Sequence, residues 1–223
     1  MENSIYLVSG AKGGVGKSLV TMALLDYLGA DVALLETDIT NPDVGKSYKK
    51  EVSKFAALDI GHAEGWIDLA NFLAETSTPV VINAAAGLGS SDSVKNLGDG
   101  LMELGRELRV LWVLNTQRDG LQLLKTFLDE TAAAEKIHVD AVRNGFFGGA
   151  DDFKLFNEKM KDVILDKGGS VLDFPVLAKR CADPLYVERL SIARAENELT
   201  FGNRLELKRW RKLVHSMFER AGV

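Results

Sequence analysis

Residues 10–18 read Gly-Ala-Lys-Gly-Gly-Val-Gly-Lys-Ser, and they stand between a short apolar run and a segment with helical periodicity. The apolar run, residues 5–8, predicts a buried strand, and the periodic segment that begins near Lys17 predicts a helix. A glycine-rich turn in this context lets backbone N–H groups surround an anion without clashes with Cβ atoms. The stretch therefore predicts a phosphate-binding loop, in which Lys17 reaches the β- and γ-phosphates and the Ser18 hydroxyl ligates Mg²⁺.

The segments that follow this loop predict an α/β fold. The helix that begins near Lys17 is followed by a second apolar strand at residues 32–35, and such a strand–helix–strand unit implies a right-handed crossover and a parallel sheet. We expect a mostly parallel, twisted sheet with helices on both faces, because parallel sheets are covered on both sides. The length of 223 residues suits one domain that spans residues 1–223.

Composition and charge exclude several classes of protein. The net charge of −5 is not that of a bulk polycation, so any contact with nucleic acid would need a local basic patch. No apolar run approaches the ~20 residues of a membrane span, and Glu2 precedes a short strand instead of a secretory leader, so we expect a cytoplasmic location. The single cysteine, Cys181, excludes an intrachain disulfide and argues against an iron–sulfur cluster held within one subunit.

An acidic loop, residues 36–44, follows the second strand. Ligands of parallel α/β sheets bind at the carboxyl ends of the strands, so this loop should face the phosphate-binding loop. Asp38 is the candidate for orienting water or Mg²⁺. The alternative is a turn aspartate, which Asn41-Pro42 directly afterwards would favour.

The sequence Lys12-Gly-Gly-Val-Gly-Lys-Ser18 resembles the deviant Walker A signature of the ParA/MinD family of P-loop ATPases. The resemblance implies ATP or ADP with Mg²⁺ as cofactors, and a homodimer in which Lys12 crosses to the phosphates of the partner subunit. The family carries Asp-x-Asp in the acidic loop, with the second aspartate near the attacking water; Asp38 matches that second position, and Glu36 stands in place of the first. The resemblance thus implies that Lys12, Lys17 and Asp38 act in catalysis. The nucleotide-binding residues that it implies are Gly13, Gly14, Val15, Gly16, Lys17, Ser18, Leu19 and Asn144.

Two further positions follow from this resemblance. The family ends the strand at residues 79–83 with an aspartate that holds Mg²⁺ through water, whereas this chain has Asn83, which carries no charge. With Ser18 and Asp38, Asn83 completes the expected metal site, and the change should weaken Mg²⁺ affinity, hydrolysis or both. Asn144, at the end of the strand at residues 137–145, matches the asparagine with which the family contacts adenine. The alternative for Asn144 is a turn residue before Gly145.

Two segments leave alternatives open. Residues 44–62 include four lysines and read as a solvated helix face or as a partner-binding surface. Residues 203–220 form an amphipathic helix with a net charge of +4, from six basic and two acidic residues. This helix suits docking on the sheet, a membrane surface or nonspecific DNA binding.

The sequence thus indicates an ATP-dependent dimeric switch and a weak ATPase, stimulated by an unidentified protein partner. The resemblance extends to plasmid-borne mobilisation and stability proteins such as TraL, MobD and StbB, which implies plasmid partition, mobilisation or cargo positioning. The loss of the acid at Asn83 favours an alternative, an ATP-binding module that does not hydrolyse. A third alternative is a metabolic enzyme similar to dethiobiotin synthetase, against which Lys12 argues.

Overall fold

The computed structural model describes residues 4–11, 13–85, 100–134 and 136–223. Every strand pairing within these residues is parallel. The strands are β1 (Ser4–Ser9), β2 (Ala33–Glu36), β3 (Lys54–Ala57), β4 (Val80–Asn83), β5 (Glu107–Leu114), β6 (Ile137–Asn144) and β7 (Val171–Phe174). They form one sheet in the order β3-β2-β4-β1-β5-β6-β7. The α/β fold class with a parallel sheet is therefore confirmed.

Helices cover both faces of this sheet, because side chains alternate along each strand and both sets are apolar. In β1, Tyr6 and Val8 face one core, and Ile5 and Leu7 face the other. The helices are α1 (Lys17–Leu28), α2 (Asp43–Tyr48), α3 (Ala63–Ala74), α4 (Arg118–Glu130), α5 (Lys154–Lys159), α6 (Lys161–Asp166), α7 (Lys179–Val187), α8 (Ile192–Glu198) and α9 (Phe201–Arg220). The core with Tyr6 and Val8 takes α1, α2 and α7–α9, and the other takes α3–α6.

The lysine-rich segment at residues 44–62 is not a single solvated helix face, so that part of the sequence prediction is wrong. It begins with the short helix α2, whose Tyr48 is buried, and continues into the edge strand β3. Lys54 lies in β3, with its ammonium 4.6 Å from the centre of the Phe72 ring and 3.1 Å from Glu75. Pairing with β2 and contact with α3 decide this strand, and neither is visible in the local pattern.

The C-terminal helix α9 docks on the protein, as one of the three interpretations of its sequence expected. Its apolar side packs against α1, α7, α8 and β7. Trp210 Nε1 donates to the carbonyl of Pro175 at 2.8 Å, and Arg211 makes two hydrogen bonds of 2.9 Å to the buried carboxylate of Asp26. Basic residues on the outward side, including Arg209 and Lys212, are exposed. None of the described helices has both the length and the apolar character that a membrane span requires.

The strand order places the ends of β1, β2 and β4 side by side. β4 lies between β1 and β2, and β5 is the other neighbour of β1. The strands β2 to β4 thus lie on one side of β1, and the strands β5 to β7 lie on the other. Crevices at such reversals of strand order bind ligands in open α/β sheets. The fold thus gathers the glycine-rich loop, the acidic loop and Asn83 at one edge.

Candidate functional site

The glycine-rich loop after β1 forms one wall of a cleft of about 410 Å³. Gly14 and Gly16 have φ angles of 80° and 100°, which only glycine adopts without strain, and α1 begins directly afterwards at Lys17. A Cβ added to Gly14 would meet no atom within 4 Å, so the backbone there borders open space. Open backbone N–H groups together with a helix N-terminus form a cradle for an anion. The volume lies within the roughly 300–1,000 Å³ of small-molecule and cofactor pockets.

Lys17 supplies the positive charge of the cleft. Its side chain is buried, and the burial lowers the pKa of its ammonium, an effect that the nearby Asp38 carboxylate partly opposes. Lys17, Ser18 and Asp38 line the same cleft. A buried cation gains most from an anionic ligand, because the ligand replaces the solvation that burial removed.

Of the other residues predicted to bind nucleotide, Gly13, Gly14 and Gly16 also line the cleft. Val15 is buried and Leu19 packs against the hydrophobic core, so the side chains of these two residues are not part of the lining. Only their backbone N–H groups are left to contact a phosphate. Lys12 lies outside the described residues, as do residues 86–99, and its crossing to a partner subunit stays a prediction.

The acidic loop after β2 is held by short-range hydrogen bonds. The backbone N–H of Asn41 donates to Asp38 Oδ1 at 3.0 Å, and the Asn41 amide donates to Asp43 Oδ2 at 2.8 Å. Asp38, Asn41 and Asp43 all line the same cleft as the glycine-rich loop. Asp38 therefore takes part in a turn and also lines the cleft, and its role towards water or Mg²⁺ stays a prediction.

Asn83 is bound into a buried polar cluster at the ends of β2 and β4. Its Nδ2 donates to Glu36 Oε2 at 2.7 Å, and its Oδ1 lies 3.0 Å from the Thr21 hydroxyl on α1. Glu36 is fully buried and also accepts from the backbone N–H of Gly45 at 2.7 Å. Burial raises the pKa of Glu36, while the hydrogen bonds from Gly45 and Asn83 oppose the rise.

This cluster contains both positions at which the chain departs from the ParA/MinD pattern that it resembles. Glu36 and Asn83 stand where that pattern has aspartates, and here Asn83 donates to the Glu36 carboxyl group. Two carboxylates at 2.7 Å would repel, whereas a carboxylate and an amide attract. Asn83 lines the cleft, so its expected role towards a metal-bound water stays a prediction, with its amide also engaged in the fold.

Asn144 supports the glycine-rich loop from the end of β6. Its Nδ2 donates to the carbonyl of Val15 at 2.8 Å, and its Oδ1 accepts from the backbone N–H of Phe146 at 3.1 Å. A Cβ at Gly16 would collide with this amide, which fixes a second requirement for glycine there. The predicted contact of Asn144 with adenine stays a prediction, and the observed role is to position the loop.

The sequence did not indicate two residues near Asp43, namely Tyr186 and Arg189. Tyr186, at the end of α7, lines the cleft beside Asp43, and burial with that carboxylate nearby raises the pKa of Tyr186 to about 12. Arg189, two residues after α7, donates to Asp43 Oδ1 at 2.8 Å. Both residues lie about 145 positions after the acidic loop, and no local signal connects the two segments.

The residues of the cleft suit a phosphorylated ligand with a divalent cation. The cleft offers backbone donors, the buried ammonium of Lys17, the Ser18 hydroxyl as an oxygen ligand and the Asp38 carboxylate. Oxygen ligands such as these are the ones that Mg²⁺ prefers, and protein sites supply few of them when substrate phosphates supply the others. Among the described residues, no group of three or more His, Cys, Asp and Glu side chains is placed to hold a metal ion.

Comparisons with known proteins give one extended sequence match. Protein MobD of Acidithiobacillus ferrooxidans is 46% identical over 226 residues, which cover 98% of this chain and 98% of that protein. No protein-family profile matches the chain.

Solved structures give weaker matches. A nucleotide-binding protein from Archaeoglobus fulgidus in complex with ADP has a TM-score of 0.49 at 17% identity, covering 78% of this chain and 82% of its own. A de novo designed protein with the P-loop NTPase fold has a TM-score of 0.41 at 13% identity, covering 74% and 94%.

Proposed function

Since the chain belongs to the MobD family, we propose that it is an ATP- and Mg²⁺-binding switch that dimerises on ATP and acts in the cytoplasm in plasmid mobilisation, partition or cargo positioning. The single observation that carries this proposal is the cleft at the carboxyl edge of the sheet. It combines the glycine-rich loop, the buried Lys17, Ser18 and Asp38. The Lys-Gly-Gly-Val-Gly-Lys-Ser motif supports ATP as the ligand and the dimer as its consequence.

The proposal assigns roles to the glycine-rich loop and to the side chains of Lys12, Lys17, Ser18 and Asp38. Backbone N–H groups of residues 13–19 hold the β-phosphate, and Lys17 contacts the β- and γ-phosphate oxygens. Ser18 holds Mg²⁺, whose contribution is to neutralise charge on the phosphates. Asp38 orients the attacking water, and the Asn41–Asp38 hydrogen bond fixes the direction of its carboxylate. Lys12 of each subunit reaches the phosphates of the other subunit.

Hydrolysis in this proposal is slow and depends on a protein partner. The neutral Asn83 stands at the position where the resembling family places a magnesium-holding acid, so this chain holds the metal with one charge fewer. A slow basal rate makes the ATP-bound dimer long-lived, which is the property that a switch needs. The exposed basic side of α9, including Arg209 and Lys212, is available to DNA or to an acidic membrane surface.

One observation favours a second candidate, an ATP-binding module without hydrolysis. Both polar atoms of the Asn83 side chain already have partners in the fold, Glu36 and Thr21. A side chain held in this way has little freedom to reorient towards a metal-bound water. In this second candidate the protein dimerises on ATP and releases it unchanged.

Sedimentation of the protein without nucleotide, with ADP and with ATP plus Mg²⁺ tests the proposal, with phosphate release followed in parallel. An ATP-specific dimer with slow phosphate release is the expected result. A dimer without release supports the second candidate. A monomer under all three conditions refutes the switch. Isothermal titration of the wild type and of the Lys17→Ala variant with ATP then shows whether the cleft binds nucleotide.

A further inference from the structure

We propose that Arg189 is a positioning residue for this site: it holds the loop after β2 so that Asp38 faces the cleft. The inference rests on the proposed function, since Asp38 is the residue that would orient water there. Arg189 lies outside the cleft lining and outside every motif of the sequence. It acts through Asp43 and Asn41, and the contacts below carry the argument.

A continuous chain of hydrogen bonds connects Arg189 to Asp38. Arg189 Nη1 donates to Asp43 Oδ1 at 2.8 Å, and Asp43 Oδ2 accepts from the Asn41 amide at 2.8 Å. The backbone N–H of Asn41 then donates to Asp38 Oδ1 at 3.0 Å. Each bond uses a different atom of the residue it reaches, so all three coexist. A displacement of Asp43 therefore moves the donor that orients Asp38.

Arg189 connects this loop to a separate part of the fold. Lys46 of α2 also holds the loop, since its ammonium donates to Asn41 Oδ1 and lies 3.5 Å from Asp43 Oδ1. That contact comes from the helix that directly follows the loop, which is itself anchored by the bond from the Gly45 N–H to Glu36. Arg189 instead follows α7, whose last turn carries Tyr186 in the cleft wall. The Arg189–Asp43 pair thus joins the two segments that contribute Asp43 and Tyr186 to the cleft lining.

The backbone of Arg189 is the second, independent observation. Its φ angle is 55°, and among the described residues it is the one non-glycine residue with a positive φ. It stands where α7 ends and the chain turns back, with the Leu190 N–H donating to the Pro184 carbonyl. Glycine is the usual residue at such helix ends, because a Cβ is strained there. Arg189 therefore places a long cationic side chain at a position where glycine is usual.

That strain provides a variant which separates positioning from folding. Arg189→Gly removes the ion pair and at the same time relieves the backbone, so we expect the thermal midpoint to stay unchanged or to rise. We expect kcat for ATP to fall about fivefold, as loss of a partly exposed ion pair implies, with KM unchanged within about twofold. Arg189→Lys restores a cation and should recover most of kcat. Arg194→Ala is the matched control, since Arg194 pairs with Glu198 at 3.9 Å on the neighbouring helix α8.

A second measurement needs no hydrolysis, so the inference and the proposed function can fail separately. Hydrogen exchange of the Asn41 N–H, the donor to Asp38, should quicken about fivefold in Arg189→Gly and stay unchanged in Arg194→Ala. Where the wild-type protein hydrolyses no ATP, this exchange rate alone decides the inference. Equal exchange in the wild type and Arg189→Gly overturns it, and so does a wild-type kcat in that variant.

Discussion

Asn83→Asp places a second carboxylate against Glu36, and we expect it to destabilise the protein at neutral pH. The two side chains are 0% and 7% exposed, and Asn83 Nδ2 lies 2.7 Å from Glu36 Oε2. The substitution replaces the Asn83 amide donor by a carboxylate oxygen, which faces the Glu36 Oε2 oxygen with no hydrogen atom between the two. It also supplies the acid that the resembling family carries at this position. Stability and metal binding are therefore expected to change in opposite directions.

The magnitude follows from the lost bond and the added charge. Loss of a hydrogen bond to a charged group costs about 1.5–3 kcal/mol, and two like charges at this distance repel by about 6 kcal/mol at an effective dielectric constant of ~20. One carboxyl therefore takes up a proton, and the net loss of stability is about 3 kcal/mol at pH 7.5. For a chain of 223 residues that lowers Tm by about 10 °C.

The same reasoning gives the pH dependence. In the variant, one carboxyl of the pair has a folded-state pKa above its unfolded value, so its contribution to stability is present at low pH and is lost as the pH rises through the folded pKa. The destabilisation relative to the wild type should therefore shrink as the pH is lowered towards 5. Urea unfolding of both proteins at several pH values measures the difference in the free energy of unfolding.

The matched variant is the double exchange Glu36→Gln with Asn83→Asp. A glutamine at position 36 keeps an oxygen for the Gly45 N–H and offers its amide to the new aspartate, and the Thr21 hydroxyl donates to that aspartate. The bond between positions 36 and 83 is kept with its direction reversed, and the bonds from Gly45 and Thr21 keep their direction. We therefore expect wild-type stability together with tighter Mg²⁺-dependent ATP binding. Equal stability of the single variant and the wild type at pH 7.5 refutes the reasoning, as does a double variant no more stable than the single one.

Three further outcomes are expected. Lys17→Ala should abolish ATP binding, and wild-type affinity should fall at alkaline pH as the ammonium, whose pKa burial lowers, loses its proton; titration calorimetry from pH 7 to pH 10 measures both, and retained micromolar affinity in the variant contradicts the site. Lys12→Ala should bind ATP but remain a monomer by light scattering, and normal ATP-dependent dimerisation of this variant contradicts the cross-subunit role. Asp38→Ala should keep the ATP-bound dimer and slow phosphate release about 100-fold, as loss of a general base does; an unchanged rate removes Asp38 from the mechanism.

The glycine-rich loop and the strands next to it could be predicted because their signals are local. The apolar run of β1, the turn glycines and the start of α1 are contiguous, so the sequence alone determines their order. The edge strand β3 could not be predicted in this way, because Lys54-Phe55-Ala56-Ala57 has the composition of an exposed helix. It becomes a strand through its pairing with β2, a contact between segments about twenty positions apart.

The candidate site divides along the same physical line. The place of Lys17, Ser18 and Asp38 in the cleft could be predicted, since the loops that carry them follow β1 and β2 and parallel strands bring their carboxyl ends together. The hydrogen bond between Glu36 and Asn83 could not be predicted, although both residues depart from the ParA/MinD pattern, because it joins the ends of two strands 47 positions apart. Arg189 gave no signal, since its partner Asp43 lies 146 positions earlier in the chain and only the tertiary fold brings the two together.

Trp210, which lies on the docked side of α9, gives the protein an optical reporter. The indole is buried, donates to the Pro175 carbonyl and lies edge-on to Phe174, with ring centres 5.7 Å apart. Its fluorescence should therefore be blue-shifted, and any ligand that pulls the helix away from the sheet should shift the emission to the red. With the other two tryptophans, Trp66 and Trp112, replaced by phenylalanine, a titration with duplex DNA or anionic vesicles then reads out the helix directly. A steady spectrum during binding means that the outward basic side makes the contact while the helix stays in place.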